Sequence, residues 1–390
     1  METGNLSAMQ SDISSEPSLL QKLHWDYNST IHLLIIACTA LACYLVGWFG
    51  LLAYPVLQLV VDVIYYGFGI RVFDPSVTIQ RGYQLSLFYN DTPHSQGIDY
   101  GFNYYDGDYD KSRKQAQLDK FDHTFHELEL QPGMRLIDIG CGCGDWLDYL
   151  KRRGIEAVGV NITDDQVRVC RQRGLTVFWT DWKKILIDKE MQNEMYGQFD
   201  RITFWDTVEH YVPAQYRSDI ERIDAVYRDM FQLARNLLQD EHDKVFISCL
   251  HNKPKNLQEN SFWSVVRKNW YCYILDKFHS GYYPSAERDD LVRNAQGLFE
   301  LERREDLTLD YLMTSKLEPT HFGRHRFKWN GSRILYALWT VLSDPFWLQR
   351  YIWFSGTTWM NQFDEDDPTK SDMLLWWLTL KAEPGTTKSG

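Results

Sequence analysis

The sequence predicts an α/β fold built on a mostly parallel sheet, preceded by an apolar N-terminal segment. From Gln131 onwards, short apolar strand patterns alternate with helical patterns, as is typical of parallel sheets with helices on their faces. A glycine-rich turn follows the first of these strands, at the edge where such sheets bind ligands. Upstream, residues 31–70 form a long run in which no charged side chain stands between His32 and Asp62.

Composition limits the classes of function. The 390 residues exceed what one hydrophobic core usually organises, so we expect one large domain with additions. The net charge of −12 repels phosphate backbones, which argues against nucleic-acid binding. The mean hydropathy of −0.41 argues against a polytopic membrane protein. The 15 Trp, 23 Tyr and 20 Phe residues favour an apolar ligand, a membrane surface or an aromatic core.

The cysteines predict neither a disulfide framework nor a metal site. Their odd number, seven, is typical of a reduced, intracellular chain of this length. Cys141 and Cys143 flank a single glycine, too close for a relaxed bridge to each other. No second cysteine pair follows at the spacing of a zinc site.

The first 71 residues predict a disordered tail and a membrane segment. Residues 1–30 are Ser-rich and slightly acidic, and residues 31–71 exceed the roughly 20 apolar residues that span a bilayer. Gly47, Gly50 and Pro55 interrupt the run, which favours a hairpin of two short helices, Ile31–Phe49 and Leu51–Ile70, over one long tilted helix. A buried hairpin in a soluble core is the alternative. A signal peptide is not expected, because no basic region precedes the run.

The segment LQPGMRLIDIGCGCGDW carries the strongest chemical signal. It predicts a turn at Pro132–Gly133, a strand over Met134–Ile139 and then a glycine-rich turn ahead of a helix. Glycines let the backbone approach a ligand closely, and the helix N-terminus favours negative charge. Asp138, just before this turn, can hold the ammonium group of a ligand. The glycines of the turn are Gly140, Gly142 and Gly144.

The later strands place further polar residues at the same edge. We expect a helix over Asp164–Arg173 and strands over Ala157–Asn161, Leu175–Trp179, Arg201–Trp205, Lys244–Leu250 and Met373–Lys381. The spacing GxGxG, with Asn161 rather than an acid ending the second strand, favours S-adenosylmethionine over NAD. Asp138 and the glycines would then face the methionine and ribose. The residues expected near the ribose are Asn161, Thr163 and Gln166, and those expected to hold the adenine are Asp181 and Trp182.

These motifs resemble the cyclopropane fatty acid synthase and mycolic acid cyclopropane synthase family of S-adenosylmethionine-dependent methyltransferases. The segments that carry the resemblance are AQLDKFDHTFHELELQPGMRLIDIGCGCGDW, VGVNITDDQ, TDW, FDRITFWDTVEHYVP and THFGRHRFKW. It implies a Rossmann-like class I methyltransferase fold with a mostly parallel seven-stranded sheet over residues 131–390. A helical cap over residues 72–130 and substrate-covering insertions at about 252–296 and 320–370 are expected with it. The apolar leader is similar to that of the sphingolipid C-methyltransferase branch.

The resemblance also implies catalytic positions. The family's carboxylate falls on Glu209, which His210 follows, and the family's histidine after the fifth strand falls on His251. In cyclopropane synthases these residues help to hold a bicarbonate ion that removes a proton. Two other bicarbonate contacts of the family, a cysteine and a tyrosine, correspond to positions near Phe102 and at Phe322, which puts bicarbonate, and with it cyclopropanation, in doubt. A helix-start carboxylate beside a solvated histidine is the alternative for Glu209 and His210.

Aromatic and basic residues suit a lipid substrate. An alkene that attacks a methyl group becomes a cation, which aromatic faces stabilise and from which a base then removes a proton. Phe102 and Phe322 would form an apolar wall, although both residue types are common in a plain core. The basic stretch His321–Arg333, which includes Arg324, could meet lipid phosphate at a membrane surface or form a solvated helix face.

Three functions remain open from the sequence. The first is methyl or methylene transfer to a carbon of a lipid, by an enzyme of an intracellular membrane such as the endoplasmic reticulum, with its catalytic domain facing the cytosol. The second is N-methylation of a small amine. The third is a non-catalytic membrane scaffold that retains the cofactor fold.

Overall fold

A computed structural model of the protein describes residues 27–54, 56–57, 60–61, 79, 101–213, 216, 219–253, 281–317, 364 and 366–384. In chain order the helices are α1 (Tyr27–Val46), α2 (Arg113–Glu127), α3 (Asp145–Arg152), α4 (Asp164–Gln172), α5 (Trp182–Ile187), α6 (Lys189–Met195), α7 (Ile220–Leu237), α8 (Asp290–Ala295) and α9 (Thr308–Leu317). The strands are β1 (Arg135–Ile139), β2 (Glu156–Asn161), β3 (Thr176–Trp179), β4 (Arg201–Trp205), β5 (Lys244–Asn252), β6 (Phe299–Asp306) and β7 (Met373–Ala382). Short 3₁₀ turns lie at Gly47–Leu52, Val208–His210 and Pro368–Lys370.

The seven strands form one sheet in the order β3-β2-β1-β4-β5-β7-β6. Strands β1 to β5 are parallel, and β7 pairs antiparallel with both β5 and β6. Because β2 lies on one side of β1 and β4 on the other, the strand order reverses at β1. The carboxyl ends of β1 and β4 therefore open onto the crevice where such sheets bind ligands.

Apolar side chains cover both faces of this sheet. Along β5, Val245 and Ile247 belong to one buried cluster and Phe246 to another, as the alternation of a strand requires. The first cluster packs against α7, through residues such as Tyr227 and Phe231. The second packs against α2 and α3, whose Phe121, Trp146 and Tyr149 make it strongly aromatic. Helices on both faces of a mainly parallel sheet confirm the predicted fold class.

The predicted strands lie where expected, with ends that differ by at most two residues. The strand that the pattern did not locate is β6, Phe299–Asp306, whose sequence FELERRED is mostly charged. It is an edge strand that pairs with β7, and most of its side chains are exposed or half-exposed. Charged side chains are common on edge strands because they discourage pairing with other chains, so hydrophobic alternation is a weak guide there.

The N-terminal apolar run forms helix α1 and the 3₁₀ turn that follows. Leu33–Leu52 is the one segment among the described residues that is long and apolar enough to cross a membrane, and only 17% of it is buried. After Gly47, with its positive φ of 63°, the chain folds back so closely that a Cβ on Gly50 would lie 2.2 Å from the amide nitrogen of Cys43. Nearly all of the tail, residues 1–30, and most of the expected second helix, Leu51–Ile70, lie outside the described residues.

Candidate active site

A cavity of about 400 Å³ opens at the carboxyl ends of β1, β2, β3 and β4. The parallel strands bring these ends to one edge, so residues from distant parts of the sequence share its wall. Among the predicted cofactor residues and catalytic residues, those that line the cavity are Asp138, Gly140, Gly142, Asn161, Thr163, Gln166, Asp181, Trp182 and His210.

The glycine turn forms the floor of the cavity. The amide groups of Gly140 and Cys141 both donate to the carbonyl of Val160, which ties the turn to the end of β2. Gly142 has a φ of +52°, and a Cβ there would meet no atom within 4 Å, so this backbone faces open space. Gly144, with a φ of +80°, instead begins α3 and packs against Leu175, outside the cavity wall.

Asp138 presents a buried carboxylate to the cavity from β1. Only 1% of the residue is exposed, and its Oδ1 accepts a hydrogen bond from the Thr203 hydroxyl at 2.8 Å. Thr203 lies on the neighbouring strand β4, in register with Asp138. A buried carboxylate held in this way is suited to a cationic group of a ligand.

The predicted ribose residues form one hydrogen-bonded network. The Asn161 side-chain amide donates to the Gly142 carbonyl at 3.0 Å and to Gln166 Oε1 at 2.9 Å. The Thr163 amide donates to Asn161 Oδ1 at 3.1 Å. Asn161 thus holds the glycine turn against the β2–α4 connection, which explains why an amide, with both donor and acceptor, ends this strand.

Asp181 and Trp182 begin helix α5 at the far end of the cavity. Asp181 caps the helix by accepting from the Lys183 amide at 2.8 Å. The Trp182 ring lies 4.8 Å from the ring of Tyr211, inclined by 33°. Tyr211 lines the cavity as well, and its hydroxyl lies 3.3 Å from that of Thr207. Burial raises the pKa of Tyr211, so the phenol remains neutral.

Glu209 lies beside the cavity rather than in its wall. It is buried in the 3₁₀ turn after β4, and the Cys249 thiol donates to its Oε2 at 3.5 Å. Burial, together with the negative charge of Asp206, raises the pKa of Glu209 to about 8 from an ordinary value of 4.5. The next residue, His210, does line the cavity.

His251 is fully buried on β5 and close to the same thiol residue. Its Nδ1 donates to the carbonyl of Cys249 at 2.9 Å, and its ring lies 4.5 Å from that of Trp376. Burial lowers the pKa of His251 to about 3, which keeps the imidazole neutral. Cys249 therefore contacts both Glu209, through its side chain, and His251, through its backbone.

The predicted substrate residues are only partly described. Phe102 is buried against Trp377, with ring centroids 5.5 Å apart, and does not line the cavity. Phe322, Arg324 and the basic stretch His321–Arg333 lie outside the described residues, as does most of the insertion at 252–296.

Other residues line the cavity although the sequence did not single them out, and four of them carry polar or aromatic groups that bear on the site. They are Lys120, Trp205, Asp206 and Tyr211. Asp206 adopts an uncommon positive φ of 48°, its amide donates to the Ser248 carbonyl at 2.9 Å, and the Ser248 hydroxyl donates back to its carboxylate. The position of Trp205 and Asp206 at the end of β4 was the available signal, because ligands contact the carboxyl ends of parallel strands.

Comparison with known proteins identifies this arrangement. The sequence model described as "Mycolic acid cyclopropane synthetase" matches residues 75–330, about two thirds of the chain. The chain is 31% identical over 106 residues to the cyclopropane-fatty-acyl-phospholipid synthase of Escherichia coli, an alignment that covers 26% of this chain and 25% of that protein. It is 28% identical over 199 residues to the methoxy mycolic acid synthase MmaA3 of Mycobacterium tuberculosis, covering 48% and 60%. The chain thus spans less than two thirds of the length of these curated relatives.

Solved structures show the same fold. The cyclopropane synthase MmaA2 from Mycobacterium tuberculosis superposes with a TM-score of 0.58 at 18% identity, over 79% of this chain and 98% of that one. The mycolic acid cyclopropane synthase CmaA1, solved in complex with SAH and CTAB, gives 0.57 at 21% identity, over 78% and 98%. These findings confirm the predicted class I methyltransferase fold and, at the level of the family, the predicted S-adenosylmethionine-dependent enzyme class and cofactor. With the match over residues 75–330, they show that the chain belongs to the mycolic acid cyclopropane synthetase family.

Proposed function

We propose that this protein is a membrane-anchored, S-adenosylmethionine-dependent methyltransferase that adds a methyl or methylene group to a carbon of a lipid. An unsaturated acyl chain or a sphingoid base is the substrate class proposed. The observation that carries the proposal is the placement of the glycine turn, Asp138 and the Asn161 network in one cavity with Trp205 and His210, beside the buried Glu209. A cofactor cleft and an ionisable group thus lie at one sheet edge.

The cavity wall offers a binding group for each part of the proposed cofactor. Asp138 would hold its ammonium group, the Asn161 network its ribose, and Asp181 and Trp182 its adenine. The open space beside Gly142 leaves room for a ligand close to the backbone. When bound, S-adenosylmethionine supplies a methyl group that is activated by its positively charged sulfur.

Glu209 is proposed as the group that exchanges a proton with the substrate. A carboxyl with a pKa near 8 is close to the range in which proton transfer at neutral pH is efficient. A cation in the neighbouring cavity would favour the ionised carboxylate, because opposite charges stabilise one another in a buried site. His251, which is neutral and hydrogen-bonded to Cys249, would help to orient this region, and His210 would contact the reactants.

An aromatic wall supports an apolar substrate. Trp205 lines the cavity and its ring lies 5.0 Å from that of Phe246 and 5.6 Å from that of Trp377. The relatives described as a probable fatty acid methyltransferase from Pseudomonas putida and as a methoxy mycolic acid synthase support a lipid chain as the substrate. Phe102 would support this wall from behind through its contact with Trp377, Phe322 would extend it, and Arg324 would contact the headgroup.

The N-terminal helix supports a membrane location. Leu41, Leu45 and Trp48 are 58%, 70% and 87% exposed, which is costly in water and favourable in a bilayer. We propose that residues 31–71 form a membrane hairpin, that residues 72–130 form a cap and that residues 131–390 form the catalytic domain. An intracellular membrane such as the endoplasmic reticulum, with this domain in the cytosol, is the location proposed.

Methyl transfer to total membrane lipid tests the proposal. The full-length protein, purified in detergent, is incubated with methyl-labelled S-adenosylmethionine and lipid extract, and the products are analysed by mass spectrometry. We expect lipids that have gained one CH₂, and we expect Glu209→Gln to lower their yield at least tenfold. The matched control is Glu156→Gln, since this side chain is 70% exposed and remote from the cavity wall.

Other outcomes of this assay separate the alternatives. Label found only in water-soluble amines would contradict the proposal and favour N-methylation. Cofactor binding that is absent by calorimetry would favour a non-catalytic scaffold. Repeating the assay with and without bicarbonate shows whether this ion takes part, although Phe322 stands at one of the family's contact positions and Phe102 near another.

A further inference from the structure

A buried lysine shares the cavity with the glycine turn. Lys120, on helix α2, is 0% exposed and lines the cavity together with Asp138 and Gly142. Its Nζ lies 5.0 Å from the ring centroid of Trp205 and 5.2 Å from that of Phe121. The Phe102 ring is 5.7 Å away. Aromatic faces attract an ammonium group, and they partly offset the cost of removing it from water.

The ammonium group of Lys120 lines a ligand cavity, where it suits an anionic group on the ligand. Lysine is almost never fully buried unless its charge is compensated. Asp138 offers the opposite charge from β1 in the same cavity, with 1% of the residue exposed. The two side chains provide a negative and a positive pole, which suits a ligand that ends in an α-amino acid, with adjacent ammonium and carboxylate groups.

We infer that Lys120 binds the α-carboxylate of the methionine part of the cofactor, while Asp138 faces the ammonium group. This inference rests on the proposed function, because it assumes S-adenosylmethionine as the ligand. The inference also gives a role to the rings of Trp205, Phe121 and Phe102, which surround the Lys120 ammonium group. A cation that develops on a substrate would be repelled by that ammonium group, so these rings would not stabilise it. An anionic group of the lipid substrate is the other ligand group that an ammonium in this place would bind. The experiment therefore has to separate that group from the carboxylate of the cofactor.

Two ligands that differ only in this carboxylate test the inference. S-Adenosylhomocysteine and its decarboxylated analogue are titrated calorimetrically into the full-length wild type and the Lys120→Met variant. We expect the variant to bind S-adenosylhomocysteine roughly tenfold to a hundredfold more weakly, the range of a charged hydrogen bond, and to bind the analogue as the wild type does. Lys120→Arg, which keeps the charge, should retain most of the preference for the carboxylate.

Lys183→Met is the matched control. Lys183 also lines the cavity, but it lies at the adenine end, with its Nζ 5.5 Å from the Trp182 ring. Removing it should change the affinity for the two ligands equally. Thermal unfolding shows whether each variant folds, and Lys120→Gln replaces Lys120→Met if the latter does not.

Three results would overturn the inference. Equal weakening of both ligands by Lys120→Met would indicate a purely structural lysine. A normal affinity for S-adenosylhomocysteine with a raised KM for the lipid would assign the lysine to an anionic group of the substrate. A wild type that binds both ligands equally well would show that the carboxylate is not recognised. Failure of the proposed function looks different, since then the wild type binds neither ligand or labels no lipid.

Discussion

The Cys249 thiol donates a hydrogen bond to the Glu209 carboxylate, with Sγ 3.5 Å from Oε2. The backbone carbonyl of the same cysteine accepts from Nδ1 of His251. Glu209 follows β4 and the other two residues lie on β5, and these strands are parallel neighbours whose carboxyl ends meet. The two residues that the family resemblance selects thus share one neighbour in a buried site, where charge is costly and both groups are shifted toward neutrality.

Glu209→Gln should change how stability depends on pH. With a pKa of about 8 in the folded chain and 4.5 ordinarily, wild-type Glu209 binds more protons when folded, so its contribution to stability falls as pH rises from about 5 to 8. Over this range we expect Glu209 to lower the free energy of unfolding of the wild type by up to about 1.4 kcal/mol per pH unit, and we expect this decrease to be missing in Glu209→Gln. Denaturant unfolding at several pH values measures it. Glu156→Gln, at an exposed position, should keep the wild-type slope, and an unchanged slope in Glu209→Gln would refute the prediction.

His251→Gln should make the stability of the protein less sensitive to acid. The pKa of His251 is lowered to about 3 from 6.5, so the unfolded chain binds more protons between these values. The contribution of His251 is therefore fully present above about pH 6.5 and decreases as pH falls toward 3. Melting temperatures at pH 7 and pH 5 should differ less in the variant than in the wild type. His126→Gln, at an exposed position of α2, is the control; an equal acid sensitivity in all three proteins would count against the buried neutral imidazole.

Gly142→Ala should weaken cofactor binding with little effect on the fold. The added Cβ would meet no protein atom within 4 Å, so the stability cost is that of the positive φ, roughly 1–2 kcal/mol. Its methyl group would occupy space at the cavity edge, and we expect the affinity for S-adenosylhomocysteine to fall at least tenfold. Gly133→Ala carries the same kind of backbone penalty, at φ +93°, outside the cavity wall. Equal affinities of the two variants would contradict this role of the turn.

Leu41→Asp combined with Leu45→Asp should release the protein from membranes. Each charge within the span opposes insertion by roughly 2.5–3.5 kcal/mol. We expect the wild type to stay in the pellet after alkaline carbonate extraction and the double variant to move to the supernatant. Ile187→Asp replaces an 80% exposed apolar residue outside the span and should behave as the wild type does. A wild type that is itself extracted would rule out integral anchoring.

Much of the fold and part of the site follow from local sequence. Six of the seven strands, all except β6, lie within two residues of their predicted ends, because a strand buried on both faces needs a continuous apolar run. Asp138, Asn161 and Asp181 are recognisable because they lie at or just after the carboxyl ends of predicted strands, and parallel strands place such residues at one edge. Strand β6 escaped detection because charged side chains on an edge strand hide its alternation.

Long-range packing decided the remaining features. Lys120 precedes the glycine turn by about twenty residues and enters the cavity only because α2 packs on the sheet. Tyr211 meets Trp182 across the cavity, and the positive φ of Asp206 depends on its bonds to Ser248. A local pattern records which side chains are apolar and which strand ends carry polar groups. Desolvation, which sets the pKa values of Glu209 and His251, arises only when distant segments close over a residue, and so it belongs to the folded chain.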